Sequence, residues 1–190
     1  MSIGIANIKQ VFGLRANVSN CIGYQDDASI VYPAGSNIVM YHIDSSSQRF
    51  IPNTDKSTGL TTMCVSQNKR YIAIAEKLSD KPIISIYDLH TLRKRKVLTI
   101  TDTQSTEVIG VSFSPDSKHL ITQTGAPDWT LYYWSWEKSK IMAFAKICAN
   151  LTPNASVTQV EKSNYSFFRI IVIEILIKKL LLFLIKIDFI

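Results

Sequence analysis

Short apolar segments alternate with polar turns along residues 1–160. They are rich in Ile, Val, Tyr and Thr, and almost none repeats its apolar residues at the 3.6-residue spacing of an amphipathic helix. Segments of this length and composition, such as 83–89 and 130–136, predict β-strands. Residues 1–160 are therefore predicted to form an all-β domain.

One pattern of strand, turn and strand occurs twice. The segments 63–74 and 111–122 superimpose so that Ser66 aligns with Ser114. In each copy an apolar strand ends at the serine, a polar turn follows, and a second apolar strand returns at once. The repetition predicts the same tight hairpin at two places in the chain.

The second copy has residues that suit a tight turn. Pro115 fixes φ at the first central position, and Asp116 can accept a hydrogen bond from the backbone two residues further on. Each hairpin is followed by a third and a fourth apolar segment, and residues 29–51 contain an earlier, partial copy. Four short strands at a period of about 40–50 residues are typical of β-propeller blades.

These residues carry a family resemblance. The Phe-Ser-Pro-Asp-Ser-Lys hairpin and the strand ends Tyr-Asp and Trp-Ser resemble WD-repeat blades, with landmarks at Ser66, Tyr87, Asp88, Phe113, Ser114, Pro115, Asp116 and Trp134. A longer ordered set, including Val-Phe-Gly-Leu-Arg at 11–15 and Trp-Ser-Trp-Glu-Lys at 134–138, resembles long WD-repeat proteins of motile cilia and flagella. The resemblance covers residues 8 to 160 and implies an incomplete propeller of about three blades.

The resemblance also implies a function. We expect a non-enzymatic scaffold of the cytoplasm and cytoskeleton, placed on the ciliary axoneme, that helps assemble or dock inner dynein arms. Its expected partners are axonemal proteins, either dynein-arm or microtubule-associated. Because three blades fall short of the 4–8 that close a ring, the open outer faces are expected to need a partner.

Residues 161–190 form a separate apolar tail, rich in Ile, Leu, Phe and Lys. Charged residues, among them Lys178 and Lys179, interrupt every stretch long enough to cross a bilayer. We predict a hydrophobic, helical tail that is unrelated to the blades and belongs to a truncated or alternative product. The alternative is a membrane-associated product anchored by this tail. As a helix the tail would be basic and amphipathic, although its polar and apolar residues would separate incompletely.

Composition narrows the function classes further. The net charge of +6 comes from basic residues spread along the chain, whereas a nucleic-acid-binding protein concentrates them on one face. The three cysteines, Cys21, Cys64 and Cys148, are too far apart in sequence for a metal knuckle and odd in number, which favours a reducing compartment. The N-terminus lacks the pattern of a secretory signal. We expect no nucleic-acid partner.

No motif for catalysis, cofactor binding or metal binding is present in the sequence. His42, His90 and His119 occupy unrelated places in the blade pattern, and Asp26 and Asp27 would face opposite ways on a strand. The chain is therefore predicted to have no catalytic residue, cofactor or metal.

The candidate contact residues are Arg93, Lys94, Arg95 and Lys96, the densest charge run in the chain. They could contact an acidic protein surface or a phosphate backbone. The alternative, which the sequence favours, places them in a solvated turn between the third and fourth strands of a blade.

Aromatic residues cluster at 129–136. Alternation along a strand would place Tyr132, Trp134 and Trp136 on one sheet face, packed between blades. That interpretation is favoured over an exposed stacking platform.

Overall fold

Residues 9–146 are described continuously in a computed structural model of the chain, together with four short strand segments at 155–157, 160–161, 169–170 and 173–175. Within residues 9–146 the regular structure consists of twelve strands in three antiparallel four-stranded sheets, with no helix. In each of these three sheets, neighbouring strands are consecutive in sequence. The predicted all-β class is confirmed, and the sheets match a partial β-propeller.

The strands follow a regular order along the chain. The first sheet contains β1 (Gly23–Asp26), β2 (Ser29–Ala34), β3 (Asn37–His42) and β4 (Ser47–Pro52). The second sheet contains β5 (Gly59–Val65), β6 (Tyr71–Lys77), β7 (Ile83–Asp88) and β8 (Lys94–Thr99). The third sheet contains β9 (Val108–Phe113), β10 (His119–Thr124), β11 (Thr130–Ser135) and β12 (Lys140–Lys146).

The C-terminal strand segments are short. β13 (Ala155–Val157) pairs with β16 (Ile173–Ile175), and β14 (Val160–Glu161) pairs with β15 (Arg169–Ile170), both antiparallel. Most of the predicted helical tail lies outside the described residues, and its described pieces are extended. β-Branched residues such as Ile173 favour this conformation. The domain boundary at residue 160 and the membrane-anchoring alternative stay predictions.

The part of the chain with described secondary structure contains no helix with the length and hydropathy needed to cross a bilayer.

The two predicted hairpins occupy equivalent places in neighbouring sheets. The first joins β5 to β6, the second joins β9 to β10, and each connects the first two strands of its sheet. The residues Lys69 and Ser117, which both have φ of +59°, stand at the same position of the two turns. The backbone therefore repeats the unit that the sequence alignment indicated.

The side chains of the two turns also repeat. Ser66 Oγ accepts a hydrogen bond from the backbone N–H of Tyr71 at 2.8 Å and donates to Asn68 Oδ1 at 2.7 Å. In the other turn Ser114 Oγ accepts from the N–H of His119 at 2.9 Å and donates to Asp116 Oδ1. Each serine thus satisfies a backbone donor that the turn would otherwise leave without a partner.

The sheets are arranged with their first strands side by side. β5 lies beside β9 and also contacts β1, whereas the fourth strands β4, β8 and β12 are at the opposite edges of their sheets. A radial order of this kind, with first strands inside and fourth strands outside, is that of propeller blades. Gly23 opens β1 where a Cβ atom would lie 2.6 Å from Val65 Cγ2, so this close approach requires glycine.

The second sheet buries both of its faces. On β6 the alternate residues Ala73 and Ala75 face the third sheet, while Ile72 and Ile74 face the first sheet. All four side chains are at most 3% exposed. A strand buried on both faces reads as a continuous apolar run, which explains the sequence Tyr-Ile-Ala-Ile-Ala in this segment.

Trp136 fills the space between the second and third sheets. Its indole ring meets Tyr71 edge-on at a centroid distance of 4.9 Å and Phe113 at 6.2 Å, and it is 3% exposed. Its Nε1–H donates to the backbone carbonyl of Ser117 at 2.8 Å. Trp136, which directly follows β11, therefore contacts a strand of each hairpin and the turn of the second one.

The segment before β1 binds to two sheets. The amide of Gln48 on β4 holds the backbone of Val11, accepting from its N–H at 2.8 Å and donating to its carbonyl at 3.1 Å. The Ser19 N–H donates to Thr61 O, and Ser19 O accepts from Met63 N–H, so Ser19 pairs in parallel with β5. Residues 11–19 therefore link the first sheet to the second.

We predict that the substitutions Ser66→Ala and Ser114→Ala each lower the free energy of unfolding by about 1 kcal/mol, since each removes the acceptor for one backbone N–H. Urea denaturation of the full chain measures the two losses. The exposed Ser139→Ala, in the turn between β11 and β12, is the control and should change stability by less than about 0.5 kcal/mol. Unequal losses in the two hairpins would contradict their equivalence.

We predict that Trp136→Ala destabilises the chain by about 3–5 kcal/mol, because it empties a buried site and removes a hydrogen bond. Trp136→Phe keeps most of the packing and should cost less than half as much. Thermal unfolding followed by circular dichroism compares the two variants. Similar losses for both would show that the hydrogen bond to Ser117, and not the packing, is the main contribution.

Candidate protein-contact surface

The charge run at 93–96 lies mostly on a strand and not in the turn that the sequence favoured. Arg93 ends the turn, whereas Lys94, Arg95 and Lys96 are the first three residues of β8. β8 is the outer edge of the second sheet, and its residues are exposed except for Leu98. Charged residues have low β-propensity but are common on edge strands, where they prevent uncontrolled pairing.

The turn that leads into β8 is organised by Asp88. Its Oδ1 accepts hydrogen bonds from the backbone N–H groups of His90 and Thr91, both at 3.1 Å. Its own N–H donates to Arg93 O, and Leu92 has a φ of +56°. A carboxylate that holds two backbone donors in this way fixes the direction in which β8 begins.

Asp88 also binds two arginines. Its Oδ2 lies 2.9 Å from Arg95 Nη2 and 3.3 Å from Arg70 Nε, and its side chain is 2% exposed. The hydrogen bond from Arg95, together with the donors of Thr91, Arg70 and His90, holds the pKa of Asp88 well below its ordinary range, although burial acts in the opposite direction. The carboxylate is therefore charged at every physiological pH.

Neighbouring cations extend the positive region. Arg49 on β4 donates from Nη2 to His90 O at 2.8 Å, which joins the first sheet to the turn of the second. The Lys94 ammonium lies 5.4 Å from the centre of the Tyr87 ring. We define the basic surface as the six cationic residues of this region: Arg49, Arg70, Arg93, Lys94, Arg95 and Lys96.

The basic surface carries more positive than negative charge. Among the described residues, Asp88 is the carboxylate that forms ion pairs with it, and Asp88 serves two of the six cations. Arg93, Lys94 and Lys96 are exposed and form no ion pair within the described part of the chain. The arrangement suits the binding of carboxylates on another molecule and offers no nucleophile or acid–base pair.

Histidine and aspartate residues that were considered for chemistry serve local structure. His42 Nδ1 contacts Ser45 Oγ at 3.1 Å, and His119 stacks on Tyr133 with ring centres 5.1 Å apart. Asp26 Oδ1 accepts from the Ala28 N–H at 3.0 Å within a turn. In the described residues no three His, Cys, Asp or Glu side chains are grouped so that they could hold a metal ion.

Of the remaining landmarks, Phe113 and Trp134 lie in the core, whereas Pro115 is exposed in its turn. Trp134 is 2% exposed, and its Nε1–H donates to Thr122 Oγ1 at 2.9 Å. Phe113 ends β9 at 3% exposure. Tyr132, Trp134 and Trp136 share the face that meets the second sheet, as alternation predicted.

Sequence reasoning missed the partners of the charge run. The pairing of Asp88 with Arg70 and Arg95 joins residues from two strands and a turn, and no short motif marks it. The sequence feature that comes closest to indicating this ion-pair group is Asp88, which follows Tyr87 at the end of an apolar strand. Arg49 was also missed, because it lies 41 residues before its acceptor His90.

The chain is similar to proteins named as cilia- and flagella-associated. No family model matches the chain. The chain is 42% identical to cilia- and flagella-associated protein 57 of Mus musculus over 166 aligned residues, covering 86% of the chain. It is 28% identical over 144 residues to cilia- and flagella-associated protein 57 C of Tetrahymena thermophila, covering 71% of the chain.

A more distant relative is cilia- and flagella-associated protein 52 of Mus musculus, at 21% identity over 141 residues and 73% of the chain. The described residues define a repeat protein built from consecutive four-stranded β-sheets. Over most of its length the chain is homologous to cilia- and flagella-associated protein 57. It spans 13% of the mouse protein 57 and 11% of the Tetrahymena protein 57 C.

We predict that Asp88→Asn lowers the free energy of unfolding at pH 7 by about 2 kcal/mol, since two charge-assisted hydrogen bonds are lost. Because folding lowers the pKa of Asp88 from its ordinary 3.8, its contribution is present above pH 4 and decreases as the pH falls below that value. Urea denaturation between pH 7 and pH 3 should show the difference between the two proteins shrinking with acidity. A constant difference would exclude ionisation of Asp88 as its cause.

Proposed function

We propose that the chain is a non-enzymatic WD-repeat scaffold of motile cilia and flagella that binds an acidic axonemal protein through its basic surface. The contact helps assemble or dock inner dynein arms on the axoneme. Three consecutive blade-like sheets provide a rigid support, and the basic surface on the second sheet is the contact. The observation that carries the proposal is the 42% identity to cilia- and flagella-associated protein 57.

The geometry supports a binding role in two ways. The exposed cations stand on a strand whose direction is fixed by the buried Asp88, so that little backbone freedom is lost on binding. The fold also joins two sheets at this place, because Arg49 of β4 binds the turn before β8. Clustered charge on rigid elements speeds association with a partner of opposite charge and selects against like-charged partners.

The proposal is tested by the location of the tagged full chain in motile ciliated cells. We expect the chain to concentrate on the axoneme and the double variant Lys94→Glu/Lys96→Glu to be diffuse, because the reversed charges repel an acidic partner. Fluorescence intensity along the cilium, relative to the cell body, measures the change.

The matched control is Lys138→Glu/Lys140→Glu. These two lysines are exposed at the start of the fourth strand of the third sheet and in the turn before it, which is the equivalent place one repeat further on. The control variant should stay on the axoneme. A diffuse signal for the unaltered chain would contradict a ciliary role, and equal losses for both variants would contradict the role of the second sheet.

A further inference from the structure

We propose that the basic surface receives its partner as an extended acidic segment, which adds to the open edge of β8 as a fifth strand of the second sheet. The inference rests on the proposed function, since it specifies how the acidic partner of the scaffold is bound. It assigns a binding mode and a partner chemistry to β8.

The first observation is that β8 has an open edge. Its other side is paired with β7 from Thr99 to Lys94, and no strand of the described chain pairs on its outer side. An edge strand presents alternate backbone N–H and C=O groups that a further strand can use. Strand addition obtains its affinity from these main-chain bonds and its specificity from the side chains beside them.

The second observation is the side-chain pattern of this edge. Lys94, Arg95 and Lys96 follow one another on β8, and the next residue, Val97, is 42% exposed. A partner strand would therefore meet cations over three residues and then a small apolar contact. Opposite charges in neighbouring strands stabilise pairing, and like charges weaken it. The edge thus favours an acidic strand and disfavours β8 of a second copy.

The third observation is that the pairing register is irregular at the cations. Lys94 pairs with Tyr87 and Lys96 pairs with Ile86, which leaves Arg95 as the extra residue of a β-bulge. The Arg95 guanidinium is held by Asp88, while Lys94 and Lys96 form no ion pair among the described residues. A bulge re-aims the side chains on both sides of it. Lys94 and Lys96 are therefore the two cations available to a partner.

A peptide fits this edge better than a nucleic acid does. Single-stranded nucleic acids bind proteins through stacking on exposed aromatic rings as well as through phosphates. The ring beside Lys94 is that of Tyr87, which is 6% exposed, and the ring beside Arg70 is that of Tyr71, which packs against Trp136. The unpaired backbone groups of β8, by contrast, match the spacing of another extended chain.

Lys94 and Lys96 lie on opposite faces of the sheet, because they pair with Tyr87 and Ile86, which are neighbours on β7. The test therefore uses the purified full chain and a fluorescein-labelled ten-residue peptide, Glu-Thr-Thr-Glu-Glu-Thr-Thr-Glu-Glu-Thr, whose carboxylates lie on both faces of a strand. We expect binding by fluorescence anisotropy, and slower hydrogen exchange of the β8 amides when the peptide is bound. A second peptide carries N-methyl groups on alternate amides of the edge that would face β8. It keeps every charge and should bind at least about tenfold more weakly.

Two variants separate the site from general electrostatics. Lys94→Glu/Lys96→Glu should weaken binding at least about tenfold, and Lys138→Glu/Lys140→Glu should change it less than about twofold. Thermal unfolding shows whether each variant is folded before it is used. A peptide of alternating Glu and Thr, which has five carboxylates that all lie on one face, should bind more weakly than the first peptide.

Three outcomes would overturn the inference. Equal affinity for the N-methylated and the unmodified peptide would mean that binding is electrostatic without strand pairing. If a ten-nucleotide oligothymidine bound more strongly than the first peptide and protected the same β8 amides, the edge would be assigned to nucleic acid. Unchanged exchange of the β8 amides would place the peptide elsewhere. Because these measurements need no cilium, their failure leaves the ciliary proposal standing, and a diffuse signal in cells leaves the strand-binding site standing.

Discussion

A four-stranded sheet with apolar residues on both faces must be covered on both sides, and this constraint determines the rest of the structure. The second sheet meets it by packing its Ala73 and Ala75 side against the third sheet and its Ile72 and Ile74 side against the first. Each interface removes apolar surface from water, which is the main favourable contribution to folding. The unit of about 48 residues is therefore repeated for a physical reason, because a single four-stranded sheet would leave both of its apolar faces exposed to water.

The polar network around Asp88 depends on this packing. The carboxylate is 2% exposed, so it needs the donors of His90, Thr91 and Arg95 to offset its desolvation. In satisfying that need it fixes the turn and orients the start of β8. In the third sheet the position that corresponds to Asp88 is Ser135 at the end of β11. Ser135 pairs with His119 as Asp88 pairs with Tyr71. The second sheet therefore differs from its neighbour at the place where its outer edge carries cations.

Much of the fold follows from the sequence, and the reasons are local. The hairpins could be predicted because Ser66 and Ser114 act within five residues of their own positions. The sequence does not predict β1, because Gly-Tyr-Gln-Asp has little of the apolar content that is typical of a strand. Its glycine is required by the close approach of Val65, which belongs to another sheet. The charge run was assigned to a turn because its residues disfavour strands, whereas the neighbouring β7 supplies the pairing that places them on one. Whether such a polar segment forms a strand is determined by its contacts with segments that are distant in the sequence.

The segment that joins Val11 to Gln48 and Ser19 to β5 has a mechanical consequence. A force applied at Val11 would load its two hydrogen bonds to the Gln48 side chain in the first sheet, then the Arg15–Pro33 bond, and then the two bonds of Ser19 in the second sheet. Two blades would therefore share the force before either lost a strand. In an organelle that bends repeatedly, such an attachment would let residues 11–19 carry load without unravelling.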